Sequence, residues 1–258
     1  MAASTLVKDV LYRVSVQLHD ISPQFTRWTQ RELVSALNDG CKAIAKFMPA
    51  SCSRLDVIKL APGTRQSIDP ILAANLISSD GSTPALVQGN YLQSVTRNMG
   101  TDGSTPGNAI RIADREVLDV NTPNWHTQTG NAVSQYTFDP RTPKNFYVSP
   151  GVPATTNVWV EISYLADPYE VSVSGSYGMD GTDTTLIPID DKYVDDLVNY
   201  ILARAYMKDA EFAANAQQAA AATQMFVASI NAQASAITGV NPNLRALPFN
   251  PTASAATA

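Results

Sequence analysis

Ionic side chains are scarce in this chain: Asp, Glu, Lys and Arg make up 16% of 258 residues, where a soluble domain usually carries about a quarter. Much of its surface must therefore be Ser, Thr, Asn, Gln and Ala. The 18 basic and 23 acidic residues leave a net charge of -5, which argues against a dedicated nucleic-acid binder, since that would show a basic face. Histidine is almost absent. Any imidazole base or metal ligand would have to be His19 or His126, and neither sits in a metal-binding pattern. Cys41 and Cys52 are the only cysteines and have neither a metal-ligand nor a redox spacing. Cys41 falls on a helical apolar stripe and reads as a small buried hydrophobe. No apolar run approaches the ~20 residues of a membrane span, and the N-terminus lacks the layout of a signal peptide. The expectation is a protein made and kept in the cytoplasm, with no membrane partner.

What the chain does have is helix at both ends and β-prone sequence between them. The longest helical stretch runs from Ile189 to Ile230. Asp190 reads as its N-cap, with Ile189 and Val194 as a hydrophobic staple. Val194, Leu197, Val198, Ile201, Ala205 and Phe212 recur at the 3.6 period, with Tyr193, Tyr200 and Met207 on a neighbouring face. Only the side with Asp195, Asp196 and Asn199 reads as wet. A helix apolar over most of its girth has partners all round. Past Ala210 the pattern thins to alanine before Met225, Phe226 and Ile230 restore bulk. The stretch is either one beam of about 40 residues, roughly 60 Å long, or turns near Lys208 to Glu211.

At the other end, a first helix carries Val7, Leu11, Val14, Leu18 and Ile21 and is stopped by Pro23. A second opens with Thr29 as cap, Glu32 closing a capping box, and Trp28 and Leu33 as staple. Leu33, Leu37, Cys41, Ile44 and Met48 mark its buried side, and Gly40 within it points to close helix packing. After Pro49 the texture becomes β-prone. Leu55 to Leu60 and Arg65 to Ile68, joined at Pro62-Gly63, read as a hairpin. Further strands are expected at Ala109 to Ile112, Val133 to Phe138, Phe146 to Ser149 and Val158 to Leu165. Ala85 to Val95 and Asp114 to Asp119 read as short helices, and Ser78 to Thr83, Gly100 to Asn108 and Ser172 to Thr185 as loose loops.

The expected class is thus α+β: a helical bundle from residues 1–50 and 186–238, a β-rich part from 51–185 with long loops, and an extended tail from 239–258. Arg245 is the only charge in that tail, which cannot fold alone and asks for a partner.

Chemistry finds little support. The glycines Gly100, Gly103 and Gly107 form no phosphate loop, because no Lys-Ser/Thr pair follows them. No Gly-x-Ser-x-Gly elbow activates a serine. The pairs Asp190-Asp191 and Asp195-Asp196 are better read as complements of a helix dipole than as a cation site. His126 follows Trp125 in a Pro-Asn-Trp-His loop and reads as structural. No catalytic residue, metal or cofactor is expected, and a structural or interaction protein is favoured over an enzyme.

The order of short motifs adds a resemblance. Gln17-Leu18-His19-Asp20, Arg27-Trp28-Thr29 and Leu37-Asn38-Asp39-Gly40 precede Pro62-Gly63-Thr64-Arg65-Gln66 and Arg97-Asn98-Met99. Ala109-Ile110-Arg111, Asp114-Arg115-Glu116, Pro123-Asn124-Trp125-His126 and Phe138-Asp139-Pro140-Arg141 come next. Phe146-Tyr147-Val148-Ser149-Pro150, Ile187-Pro188-Ile189-Asp190-Asp191 and Arg204-Ala205-Tyr206 with Lys208-Asp209-Ala210-Glu211 complete the series. From Leu6 to about Ala228 the chain resembles the head-to-tail adaptors of short-tailed bacteriophages.

That resemblance implies a virion protein of the neck. It would dock under the portal protein as a homo-oligomeric ring, twelve-fold, present a surface to the tail nozzle or tube, and let double-stranded DNA pass without sequence-specific binding. The expected interface residues are Ala213, Ala216, Ala220, Met225 and Phe226 on the alanine-rich helix and Leu244, Arg245, Leu247 and Phe249 in the tail. Asp180 and Asp183 are expected to face the channel or lie in a loop. A tail-nozzle component, which would be more wholly β, and a virion-borne hydrolase are the alternatives.

Overall fold

The computed structural model describes residues 4–20, 27–79, 86–178, 181–208 and 213–240. Among them the chain is α+β. Helices α1 (Val7–Gln17) and α2 (Gln30–Phe47) are followed by strands β1 (Ser53–Lys59), β2 (Gly63–Ser67), β3 (Ile71–Leu72), β4 (Leu76–Ser78), β5 (Leu86–Val87), β6 (Gly89–Asn98) and β7 (Arg111–Ile112). Helix α3 (Arg115–Asn121), strands β8 (Gln135–Phe138), β9 (Asn145–Val152) and β10 (Trp159–Ala166), and helices α4 (Val194–Lys208) and α5 (Ala213–Val240) complete the order. Two compact units result, one of Pro49–Tyr169 and one of Ala3–Met48 with the residues from Glu170 onward.

The β unit is a sandwich. One sheet has the order β4-β1-β10-β6 and the other β2-β9-β8-β7, and their inner faces share a core that includes Ile58, Leu92, Val160, Ile162, Tyr136, Phe146 and Val148. The alternation expected at Val158 to Leu165 is present: Val160, Ile162 and Tyr164 point inward from β10. A bridge between Arg97 and Ala109 joins the edges of the two sheets at β6 and the segment leading into β7. The opposite edge strands are β4 in one sheet and β2 in the other.

Three expectations fail here. The runs around Pro62-Gly63 are strands but no hairpin, because β1 pairs with β10 and β4 while β2 pairs with β9. The Gln66 side chain meets the backbone of Ala61 instead, accepting from its N–H at 2.7 Å and donating to its carbonyl at 2.7 Å. Ala85 to Val95 is not a helix, since its described residues lie on β5 and β6. Register shifts against β10 give β6 buried residues at every third position, Gly89, Leu92, Val95 and Asn98, and that spacing imitates a helical stripe. The segment from Gly100 to Asn108 is built rather than loose. Asp102 accepts from the amides of Ser104 and Thr105 at 3.1 and 3.3 Å, and Gly103 at φ 79° lies so close to Ile77 and Trp159 that a Cβ would clash.

In the other unit α4 packs against α1, α2 and α5, the neighbours on several sides that its apolar girth called for. Thr29 and Glu32 form the capping box of α2, and Gly40 brings α2 against Leu197 and Tyr200 with no room for a Cβ. The stretch Ile189 to Ile230 is two helices. Tyr200 meets the ring of Phe226 and Asp196 accepts from Gln233 at 2.8 Å, so α5 runs back antiparallel along α4. Asp190 precedes a short 3-10 turn, Asp191–Tyr193, without a side-chain cap bond. Asp196 is not wet but buried, 2% exposed. Helix α1 ends at Gln17, before Pro23. The amides of His19 and Asp20 donate to the carbonyls of Val16 and Ser15 at 3.2 and 3.1 Å, a Schellman close with His19 in the left-handed position.

Candidate interaction surface

Helix α5 is 28 residues long, about 42 Å, and its sequence contains no Asp, Glu, Lys or Arg. Ala219, Ala222, Phe226 and Ile230 are buried and form the side turned to α4. The remaining girth presents Ala216, Gln217, Gln218, Ala220 and Ala221 to solvent, with Met225 at 61% exposure. Alanine keeps such a helix formed without help from ion pairs and lets another backbone come close.

The expected interface residues therefore fall into three groups. Ala216, Ala220 and Met225 are exposed on α5, whose first residue is Ala213. Phe226 is buried within its own chain against Tyr200, their rings 5.4 Å apart. Leu244, Arg245, Leu247 and Phe249 lie outside the described residues, as do Asp180, Ile21 and Phe212. Asp183 accepts from the Thr185 amide at 2.8 Å and from its hydroxyl. The Thr185 bonds hold its carboxyl below the usual range.

The paired acids hold other parts of the chain in place. Asp191 accepts from Ser4 Oγ at 2.6 Å, from the Ser4 amide at 2.9 Å and from the Thr5 amide at 3.0 Å. Ser4 above all, against some desolvation, pulls its carboxyl down to about 2. Asp195 pairs with Arg13 at 3.5 Å and Asp190 with Lys192 at 3.4 Å. Among the described residues no group of three or more His, Cys, Asp or Glu could hold a metal ion, and no helix is long and apolar enough to cross a membrane.

His126 stacks on Trp125 with ring centroids 3.7 Å apart, and its Nδ1 lies 2.9 Å from Thr64 Oγ1. Trp125 is buried and donates from Nε1 to Asp119 at 2.8 Å. The Pro-Asn-Trp-His loop thus fastens α3 to the β unit.

Two features of the β unit escape a reading of the sequence. Beside β2, a cleft of about 440 Å³ is lined by the buried Ile58, Leu60 and Ile71 together with polar residues that include Lys59, Gln66, Asp69 and Asn75. Across the same sheet, Ile112 on β7 and Val117 and Val120 on α3 are 67%, 54% and 79% exposed. Exposure of this kind has no local signature, because the same residue types at the same spacing fill the core elsewhere in the chain.

No curated protein matches the chain. The family model described as SU10 adaptor protein matches residues 1–246, in agreement with the head-to-tail adaptor resemblance carried by the motif order. This chain belongs to the SU10 adaptor protein family and is a structural adaptor of a bacteriophage.

Proposed function

We propose that the protein assembles as a homo-oligomeric ring, twelve-fold, beneath the portal of the virion, assembled in the host cytoplasm. It presents its far side to the tail nozzle or tube, and double-stranded DNA passes through it. The observation that carries this reading is the outer surface of α5, 28 residues long and without one charged side chain. A water-facing helix gains solubility from ionic groups. One that lacks them over about 42 Å suits a surface that another subunit covers.

Ala213, Ala216, Ala220 and Met225 lie along the contact, and buried Phe226 props the helix on α4 from beneath. Leu244, Arg245, Leu247 and Phe249 of the tail reach the portal or a neighbour. The acid excess, with Asp180 and Asp183 among the channel or loop residues, keeps the passing duplex from adhering.

Electron microscopy of the purified protein, alone and mixed with portal, tests the reading. A closed ring stacked on the portal is expected. A monomer that leaves the portal bare overturns it. Replacing Ala216 and Ala220 with glutamate is expected to prevent ring formation while the helical content by circular dichroism stays unchanged.

A further inference from the structure

The chain passes between its two compact units at Met48–Pro49 and again at Tyr169–Glu170. On the β side the two passages are neighbours. Ser53, which opens β1, pairs with Leu165 near the end of β10, so the segments leave the sheet side by side, about 4.8 Å apart. Asp167 is still fastened to the β unit: its amide donates to the Gln88 carbonyl at 2.8 Å and its carboxylate accepts from Asn90 at 3.1 Å.

On the helical side both passages meet one end of α2. The outgoing one leaves that end directly, where the Met48 amide donates to the Ile44 carbonyl at 2.7 Å. The return one begins as a strap, although its Gly- and Ser-rich sequence reads as a loose loop. Asn38 donates from Nδ2 to the Val171 carbonyl at 2.9 Å and accepts at Oδ1 from the Val171 amide at 2.9 Å. Gln30 donates to the Gly175 carbonyl and accepts from the Tyr177 amide at 3.2 Å. A carboxamide offers both a donor and an acceptor, so each side chain grips backbone much as a neighbouring strand would. Val171 and Tyr177 are buried, and Lys42 pairs with Glu170. Asn38 and Gln30 stand about 12 Å apart along α2, and Val171 to Gly175 spans about 13 Å when extended. The strap therefore runs antiparallel to α2, and its start points back to the helix end from which the chain set out.

Between Asp167 and Glu170 stand only Pro168 and Tyr169, and the outgoing passage is one peptide bond into Pro49. Proline fixes φ in both passages. We infer that these two adjacent passages form a hinge about which the β unit turns on the helical unit, and that Asn38 and Gln30 keep it tight by clamping the strap. Two short neighbouring segments leave rotation about one axis as the soft motion, whereas a single long linker leaves every direction open. Releasing the strap lengthens the return passage from Pro168–Tyr169 to Pro168–Tyr177. Asn38 and Gln30 act here as positioning residues. The hinge belongs to a single copy and stands apart from the ring reading.

Spin labels on the full chain test it, one on each unit, at Val120→Cys and Met225→Cys, both exposed. Cys52→Ser removes the native thiol that is not buried. The distance distribution is compared with that of a control pair inside the β unit, Leu55→Cys and Val120→Cys. With the strap intact, the pair across the units is expected to give the wider distribution. Asn38→Ala with Gln30→Ala is expected to widen it at least about twofold further while the control stays unchanged, an effect that a purely structural role in the helical unit would not produce. Pro168→Gly loosens the passage without touching the strap and is expected to widen it as well, which keeps the inference testable if the clamp variant fails to fold. A distribution across the units as narrow as the control overturns the hinge. Widths that neither variant changes overturn the inference too. Widening with Pro168→Gly alone overturns the role of the two amides.

Discussion

Among the described residues His19 is the one residue other than glycine with a positive φ, 54°. It occupies the position after α1 where helices usually place glycine, and an L side chain is strained there by roughly 1–2 kcal/mol. His19→Gly should therefore stabilise the protein by about 1 kcal/mol and raise the melting temperature by about 2–4 °C, readable by calorimetry. The sequence shows the end of α1 only vaguely, because Pro23 is the louder signal and no glycine or asparagine stands between Gln17 and Pro23. Asp191 gives a prediction with a sign. Its folded carboxyl is depressed from 3.8 to about 2, chiefly by Ser4, so folding favours the charged form. The stability it contributes is complete above its unfolded value and lost as pH falls from about 4 toward 2. Melting temperatures of wild type and Asp191→Asn should differ most at pH 6 and draw together as pH falls toward 2. Parallel curves throughout would mean that the Ser4 and Thr5 bonds do not anchor the N-terminus.

Helices and strands were legible to different degrees, for identifiable reasons. The capping box of α2 is local and reads directly as Thr29 and Glu32. Gly40 was also readable as a packing site. A Cβ there would lie 2.7 Å from Leu197 and 2.9 Å from Tyr200, so Gly40→Val should cost about 1–3 kcal/mol in urea denaturation despite its gain in helix propensity. Strand β6 was misread because its bulges against β10 set a spacing of three. The break between α4 and α5 was left open by the sequence, since alanine-rich sequence favours helix on both sides. Tertiary contacts finish α4: Trp28 Nε1 donates to the Ala205 carbonyl at 3.0 Å, and Glu32 holds Lys208 at 2.8 Å. Helix α5 then lies on α4 through small and apolar residues and the Gln233–Asp196 bond. Gln233→Ala leaves a buried carboxylate without that donor and should destabilise by about 1–3 kcal/mol. A cost below half a kcal/mol would show that the bond is replaced.

At the scale of the whole molecule, the sparse charge predicts how the assembly responds to salt. The screening length shrinks from about 8 Å at physiological ionic strength to about 3 Å at 1 M, which weakens contacts made by ion pairs and leaves apolar ones intact. Rings held through the uncharged surface of α5 should persist at 1 M salt, as measured by sedimentation velocity. Dissociation at 0.5 M would place charged residues at the contact.

By itself the sequence determined the α+β class, most of the strands in the second half of the sandwich, the capped start of α2, and membership of an adaptor family through the order of its motifs. These depend on neighbours within a few residues, or on order alone, and so survive without coordinates. Only the tertiary structure decided that β1 and β2 belong to different sheets, that Asp196 is buried, that Phe226 faces inward while Met225 faces out, and that Ile112, Val117 and Val120 stand exposed. Each of these depends on groups far apart in the chain, and a periodic pattern names a face without saying what will cover it.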